Sequence, residues 1–205
     1  LVYWAESHDT YANDGGESKY VDQNKIDRAY AIAASRNGAS ALYFSRPSQT
    51  EKKKIMVGEK GSTHFKSAEV AAVNHFHNAC IGEKDYYTTS SNQSVAAITR
   101  NSGACIVLGN GGNRDVTIAN GGSLTTPGTY YDEITGNKFV VTKDKITGKV
   151  GSTGIAVFYQ SNKKVSVSAD KESGTTFTDK LKVKFTANNA TKSTLTINGK
   201  TESFT

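Results

Sequence analysis

Three residues able to do chemistry stand together near the start of the chain: Glu6, His8 and Asp9, in the run Trp4-Ala-Glu-Ser-His-Asp-Thr-Tyr11. Carboxylates accept hydrogen bonds and imidazole can accept or donate, so such a set can bind sugar hydroxyls, relay protons or hold a metal. The same letters also suit a strand end that carries solvated polar residues, and spacing alone leaves both readings open. Other constellations fail on geometry. His75 and His77 lie two apart on a helical pattern, which turns them to different faces and makes them a poor metal pair. No Gly-x-Ser-x-Gly turn surrounds Ser7, so nothing marks it as a nucleophile. His64 sits in a polar loop with no evident partner. Cys80 and Cys105 are too far apart for a Cys-x-x-Cys redox or zinc pattern; they fit either two buried thiols or one disulfide.

The elements that must position these groups follow from the apolar pattern. Residues 1–5, Leu-Val-Tyr-Trp-Ala, form the short apolar run expected of a strand buried on both faces. After a polar stretch at 13–24, Ile26, Ala29, Tyr30 and Ala33 recur at helical spacing, and Asn37-Gly38 supplies a helix stop. Residues 41–44, Ala-Leu-Tyr-Phe, read as a second buried strand. A second helix starts with Ser67 as its N-cap and turns Val70, Val73, Phe76 and Cys80 inward. Strand, helix, strand, helix within about 80 residues means a parallel sheet with crossover helices. In a parallel barrel the C-terminal ends of strands build the active-site face. Glu6, His8 and Asp9 lie at such an end.

From residue 83 the helical period disappears. Apolar segments at 95–99, 106–108, 116–118, 139–141 and 155–159 alternate with glycine-containing turns, which describes an antiparallel, sandwich-like sheet. Asn110-Gly111-Gly112 is a turn and not a phosphate loop, because no helix pattern follows it. A polar linker at 160–164 leads to strand patterns at 165–167, 181–185 and 194–197, with Asn198-Gly199 as a hairpin signal. The last pattern is too short to close a sandwich, and an apolar run at the first residue suggests that the natural N-terminus lies further upstream.

The charge balance of +6 raises the question of nucleic acid. The basic residues are scattered, with Lys52, Lys53 and Lys54 as the one run, and Lys180, Lys182 and Lys184 alternating with Leu181, Val183 and Phe185 as on the wet face of a strand. A solvated surface accounts for them, and no nucleic-acid partner is expected. No apolar run approaches the roughly 20 residues that a membrane span needs.

The runs Glu-Ser-His-Asp-Thr-Tyr-Ala-Asn-Asp at 6–14 and Ala-Ser-Arg-Asn-Gly at 34–38 resemble the end of the catalytic barrel of glycoside hydrolase family 13 α-amylases. In particular they resemble the saccharifying α-amylases secreted by Gram-positive bacteria. Phe44-Ser-Arg-Pro47 resembles their eighth strand and its exit, Ala72-Val-Asn-His-Phe-His-Asn78 their last barrel helix, and residues 106–113 their domain C. Residues 164–205, with Phe177-Thr-Asp179 and Asn188-Asn-Ala-Thr191, resemble immunoglobulin-like modules appended to bacterial starch-degrading enzymes.

The resemblance implies a mixed fold: a partial (β/α)8 barrel holding the last two βα units over residues 1–82, an antiparallel β-sandwich domain C over 83–160, and an incomplete β-sandwich module over 164–205. It implies an extracellular, monomeric enzyme that cleaves α-1,4-glucosidic bonds of starch internally with retention. Asp9 matches the family's third catalytic carboxylate and His8 the neighbouring substrate-binding histidine, while the nucleophile and acid/base lie upstream. Many relatives carry Asn where this chain has Ser7, so the resemblance assigns Ser7 no role. Calcium is implied for the complete enzyme, with no ligand assigned here. A family 13 transglycosylase, or a non-catalytic starch-binding surface protein, is the alternative. Phe177 and Phe204 suit a core, which favours a spacer role for the last module.

Overall fold

The opening apolar run makes a strand, but a short one with an exposed face. β1 (Val2–Trp4) pairs in parallel with β2 (Ser40–Leu42), Tyr3 opposite Ala41. The computed structural model describes residues 1–12, 17–38, 40–48, 58, 60–160, 166–171, 174, 182–188 and 193–204. Between the two strands lie α1 (His8–Ala12) and α2 (Gln23–Ala34), and after them α3 (Ala68–Ala79). Ala5, Ala41 and Tyr43 pack on the helices. Val2, Trp4 and Leu42 remain 45%, 54% and 56% exposed. The expectation of strands buried on both faces therefore fails here: among the described residues nothing covers the second face of this two-stranded sheet.

α2 buries Ile26, Asp27, Tyr30, Ala31 and Ala34. The buried stripe is rotated from the one the sequence suggests, since Ala29 is exposed and Ala33 half-buried. Ala31 and Ala34 are small enough to let the helix approach the sheet beneath, where the Cys105 thiol meets the Ala31 carbonyl at 3.8 Å. The helix ends at Ala34, earlier than the Asn37-Gly38 stop, and Gly38 follows at φ +75°. α3 starts as expected. The Ser67 hydroxyl accepts from the Val70 amide at 3.3 Å, a cap worth about 1 kcal/mol. Val70, Ala72, Val73, Phe76 and Cys80 turn inward.

Antiparallel strands follow. β3 (Asp85–Ser90), β4 (Val95–Arg100) and β5 (Gly103–Leu108) lead to β6 (Arg114–Ala119), β7 (Gly128–Tyr131), β8 (Lys138–Val141), β9 (Lys145–Val150) and β10 (Ile155–Tyr159). They form two four-stranded sheets, ordered β10-β5-β4-β3 and β6-β9-β8-β7. One apolar cluster fills the space between them, including Ile106, Leu108, Val116, Phe139, Ile146 and Phe158. The alternate residues Cys105, Val107, Ile155 and Val157 join the other cluster, against α2 and α3. The first sheet is thus a middle layer, and β5 is buried at every position. Between β5 and β6, Asn110-Gly111-Gly112 is the expected turn. Gly112 is required there, because a Cβ would lie 2.1 Å from the Ser152 carbonyl oxygen.

Residues 1–160 form one compact unit and 161–205 a second. The second contains the antiparallel pair β11 (Ser166–Ala169) and β12 (Phe185–Asn188) and the hairpin β13 (Ser193–Ile197) and β14 (Lys200–Phe204). Asn198 and Gly199 adopt φ of +50° and +78°, the left-handed pair a two-residue hairpin turn requires. The strand expected at 181–185 begins only at Phe185; Lys182 and Lys184 are exposed and Val183 half-buried. Lys52–Lys54, Lys180, Leu181, Phe177, the Phe204 side chain, positions 189–191 of the Asn-Asn-Ala-Thr motif and linker residues 161–164 lie outside the described set.

Candidate active site

The chain leaves β1 at Trp4 and turns at once. Glu6 points inward and is 3% exposed. Its carboxylate accepts two hydrogen bonds from Arg46, from Nε at 2.8 Å and from Nη2 at 2.9 Å. Burial pulls the Arg46 pKa down, but the hydrogen bonds and charge of Glu6 outweigh it and the net displacement is upward. Ser7 is the N-cap of α1. Its hydroxyl accepts from the Thr10 amide at 3.3 Å, and the Thr10 hydroxyl accepts from the Ser7 amide at 2.9 Å. Two donors are thereby satisfied reciprocally, as in a capping box. The Tyr11 amide closes the turn onto the Ser7 carbonyl at 2.9 Å.

His8 and Asp9 occupy the first turn of α1, and their side chains are 83% and 63% exposed. His8 Nε2 and Asp9 Oδ1 lie 3.2 Å apart. An exposed imidazole beside an exposed carboxylate, just past the C-terminal end of a parallel strand, can donate to and accept from the hydroxyls of a polar ligand. The trio read from the sequence is therefore divided. His8 and Asp9 come together and face outward, whereas Glu6 is committed to Arg46.

Behind this turn lies a second polar cluster around Asp27, which is 4% exposed. Its Oδ1 accepts from the Tyr43 hydroxyl at 2.9 Å and from Gln23 Nε2 at 3.2 Å, and its Oδ2 lies 2.7 Å from His64 Nε2. Burial, followed by the charge and hydrogen bond of Asp27, pushes the Tyr43 phenol up, so it stays a neutral donor. His64 thus has a partner that its loop position did not reveal. His75 Nδ1 meets Glu133 at 2.6 Å and His77 Nδ1 meets the Ala34 carbonyl at 2.7 Å, and the two rings serve different neighbours. Cys80 and Cys105 are free and buried. Among the described residues no three His, Cys, Asp or Glu side chains gather into a group that could hold a metal ion. No helix among them is long and apolar enough to cross a membrane.

Two contributors escaped the sequence reading. Ser7 carries the first half of a Ser-x-x-Thr capping pattern, which is the local signal for its role. Arg46 is 40 positions from Glu6, and no local rule pairs residues so far apart.

The architecture has counterparts among solved structures. α-Amylase I of Eisenia fetida superposes with a TM-score of 0.56 at 17% identity, over 77% of this chain and 40% of that one. A maltogenic α-amylase of Thermotoga neapolitana gives 0.50 at 10% identity over the same shares. Sequence relationship is more specific. The chain is 31% identical over 160 residues to an α-amylase of Clostridium acetobutylicum, covering 77% of this chain and 19% of that protein. It is also 31% identical over 170 residues to an α-amylase of Butyrivibrio fibrisolvens, with 77% and 17% covered. No family model matches the chain. On the sequence relationship, the chain is a homologue of part of these α-amylases and spans less than a fifth of the length of the curated relatives it matches.

Proposed function

We propose that the complete protein is an extracellular, monomeric α-amylase that cleaves internal α-1,4-glucosidic bonds of starch with retention. In this reading residues 1–82 are the end of its (β/α)8 barrel, 83–160 its domain C, and 164–205 an immunoglobulin-like spacer. The observation that carries it is the outward-facing pair His8–Asp9 immediately after a parallel strand. The open face of β1 and β2, with Val2, Trp4 and Leu42 exposed, supports the barrel assignment, because further strands would cover it.

Asp9 accepts hydrogen bonds from hydroxyls of the sugar at the cleaved bond and holds that ring in a distorted shape. Such contacts strengthen as the oxocarbenium ion forms and supply several kcal/mol. His8 donates to a neighbouring hydroxyl and holds the ground state. A retaining mechanism needs a nucleophile and an acid/base about 5 Å apart. The proposal places both outside residues 1–205. Calcium belongs to it only for the complete protein, with no ligand among the described residues.

The test is product analysis with the complete protein and soluble starch. Viscosity should fall well before reducing ends accumulate, and the first products should carry the α anomer by NMR. Transfer products without net new reducing ends would make it a transglycosylase. Starch binding with no bond cleavage would make it a binding protein.

A further inference from the structure

We propose that Arg46 is the positioning residue of the His8–Asp9 site, an inference that rests on the reading of Asp9 given above. One guanidinium reaches the segment before, within and after α1. Before it, Glu6 takes the bidentate pair at 2.8 and 2.9 Å. After it, the Ser18 and Val21 carbonyls each accept from Nη2 at 2.9 Å. Within it, the guanidinium carbon stands 5.5 Å over the Tyr11 ring, which is 1% exposed and packs on Phe44 at 5.7 Å. Arg46 itself follows β2, so the turn that presents Asp9 is fastened to the exit of the neighbouring strand.

Energetics favour a geometric role over a purely stabilising one. Both side chains of the pair are at least nine-tenths buried. Removing two charges from water costs several kcal/mol per ion, and replacing such a pair with apolar groups is often neutral or stabilising. A planar fork with fixed donors does what packing cannot: it sets the direction of the groups bound to it. α1 has only 5 residues and could not hold its own orientation as an isolated helix. The outward tilt of Asp9 is therefore set by Arg46.

Arg46→Lys keeps the charge and loses the fork, and Glu6→Gln keeps the size and loses the charge. In the complete protein each should fold, lower kcat on soluble starch about 10- to 100-fold, as an ångström-scale misplacement does, and leave KM nearly unchanged. Combined with Asp9→Asn, Arg46→Lys should add almost nothing, because the group it positions is already disabled. Amide hydrogen exchange at Thr10 and Tyr11 should quicken at least tenfold, with α3 unaltered. Unchanged exchange in α1, or kcat losses that multiply fully in the double variant, would overturn the positioning role. A wild-type kcat in Asp9→Asn alone would instead remove the reading of the site, while exchange would still report whether Arg46 holds α1.

Discussion

The turn at residues 6–10 divides its polar groups between inward and outward work. Glu6 and Ser7 spend their hydrogen-bonding capacity on the fold, which leaves His8 and Asp9 facing solvent. Ser7→Ala should cost about 1 kcal/mol of α1 stability, read as faster exchange at the Thr10 amide, and Ser7→Asn should restore it. Equal exchange in wild type and Ser7→Ala would mean the cap does not matter. The cysteines titrate in the opposite sense to a reactive thiol. Burial pushes both Cys80 and Cys105 up to about 12, Cys80 aided by the charge of Glu83. The folded chain keeps these protons from the ordinary thiol pKa of about 9 up to about 12, where the unfolded chain releases them. Stability should fall as pH rises through that window. The urea midpoint should drop between pH 8.5 and 10.5, less steeply in Cys105→Ala, and both thiols should resist thiol reagents until the protein unfolds. Rapid labelling of the native protein at pH 8 would contradict this.

At the scale of elements, one arginine joins the helices to the sheet. Arg100 is 1% exposed on β4 and donates to the Ser35 carbonyl at 3.0 Å, to the Cys80 carbonyl, and to the Glu83 carbonyl at 2.8 Å. Ser35 and Cys80 are the C-caps of α2 and α3, where a cation is favoured by the helix dipole. Arg100→Met strands two buried carbonyls and a half-buried one and should cost about 3 kcal/mol or more. Arg36→Met, which breaks the partly exposed pair with Asp85, should cost less than about 1 kcal/mol. Denaturant midpoints with equal shifts for the two variants would show that Arg100 does not join these elements. What was legible in the sequence follows from range. The α3 cap and its inner face, the Asn198-Gly199 hairpin and the β5 core run are local patterns, and each appears where the residues put it. The rotated face of α2 depends on Cys105 beneath it, and the links Glu6–Arg46, Asp27–His64 and Arg100–Ser35 join residues 40, 37 and 65 positions apart. Spacing rules have no access to such pairs. The apolar runs of β1 and β2 do predict strands, but burial depends on layers, and the described residues supply only one for them.

At the scale of the whole molecule, the described chain pairs a well-covered β-sandwich with a two-stranded parallel sheet that is covered on one face. The proposed site stands at the end of that half-covered sheet. The 205-residue chain alone should therefore release no reducing sugar from starch, and its exposed Val2, Trp4 and Leu42 should bind an apolar dye and promote self-association. Sugar release above a mock preparation would mean that the catalytic groups lie within these residues after all. The central claim is that Asp9 acts on the transition state, and steady-state kinetics of Asp9→Asn in the complete protein tests it most directly. The carboxamide preserves size while removing the charge and half of the accepting capacity. The melting temperature should hold, and kcat and kcat/KM on soluble starch should fall together by roughly 10² to 10⁴, equivalent to about 3 to 5 kcal/mol. A folded Asp9→Asn variant with near wild-type kcat would show that this aspartate is only a solvated residue at the end of a strand.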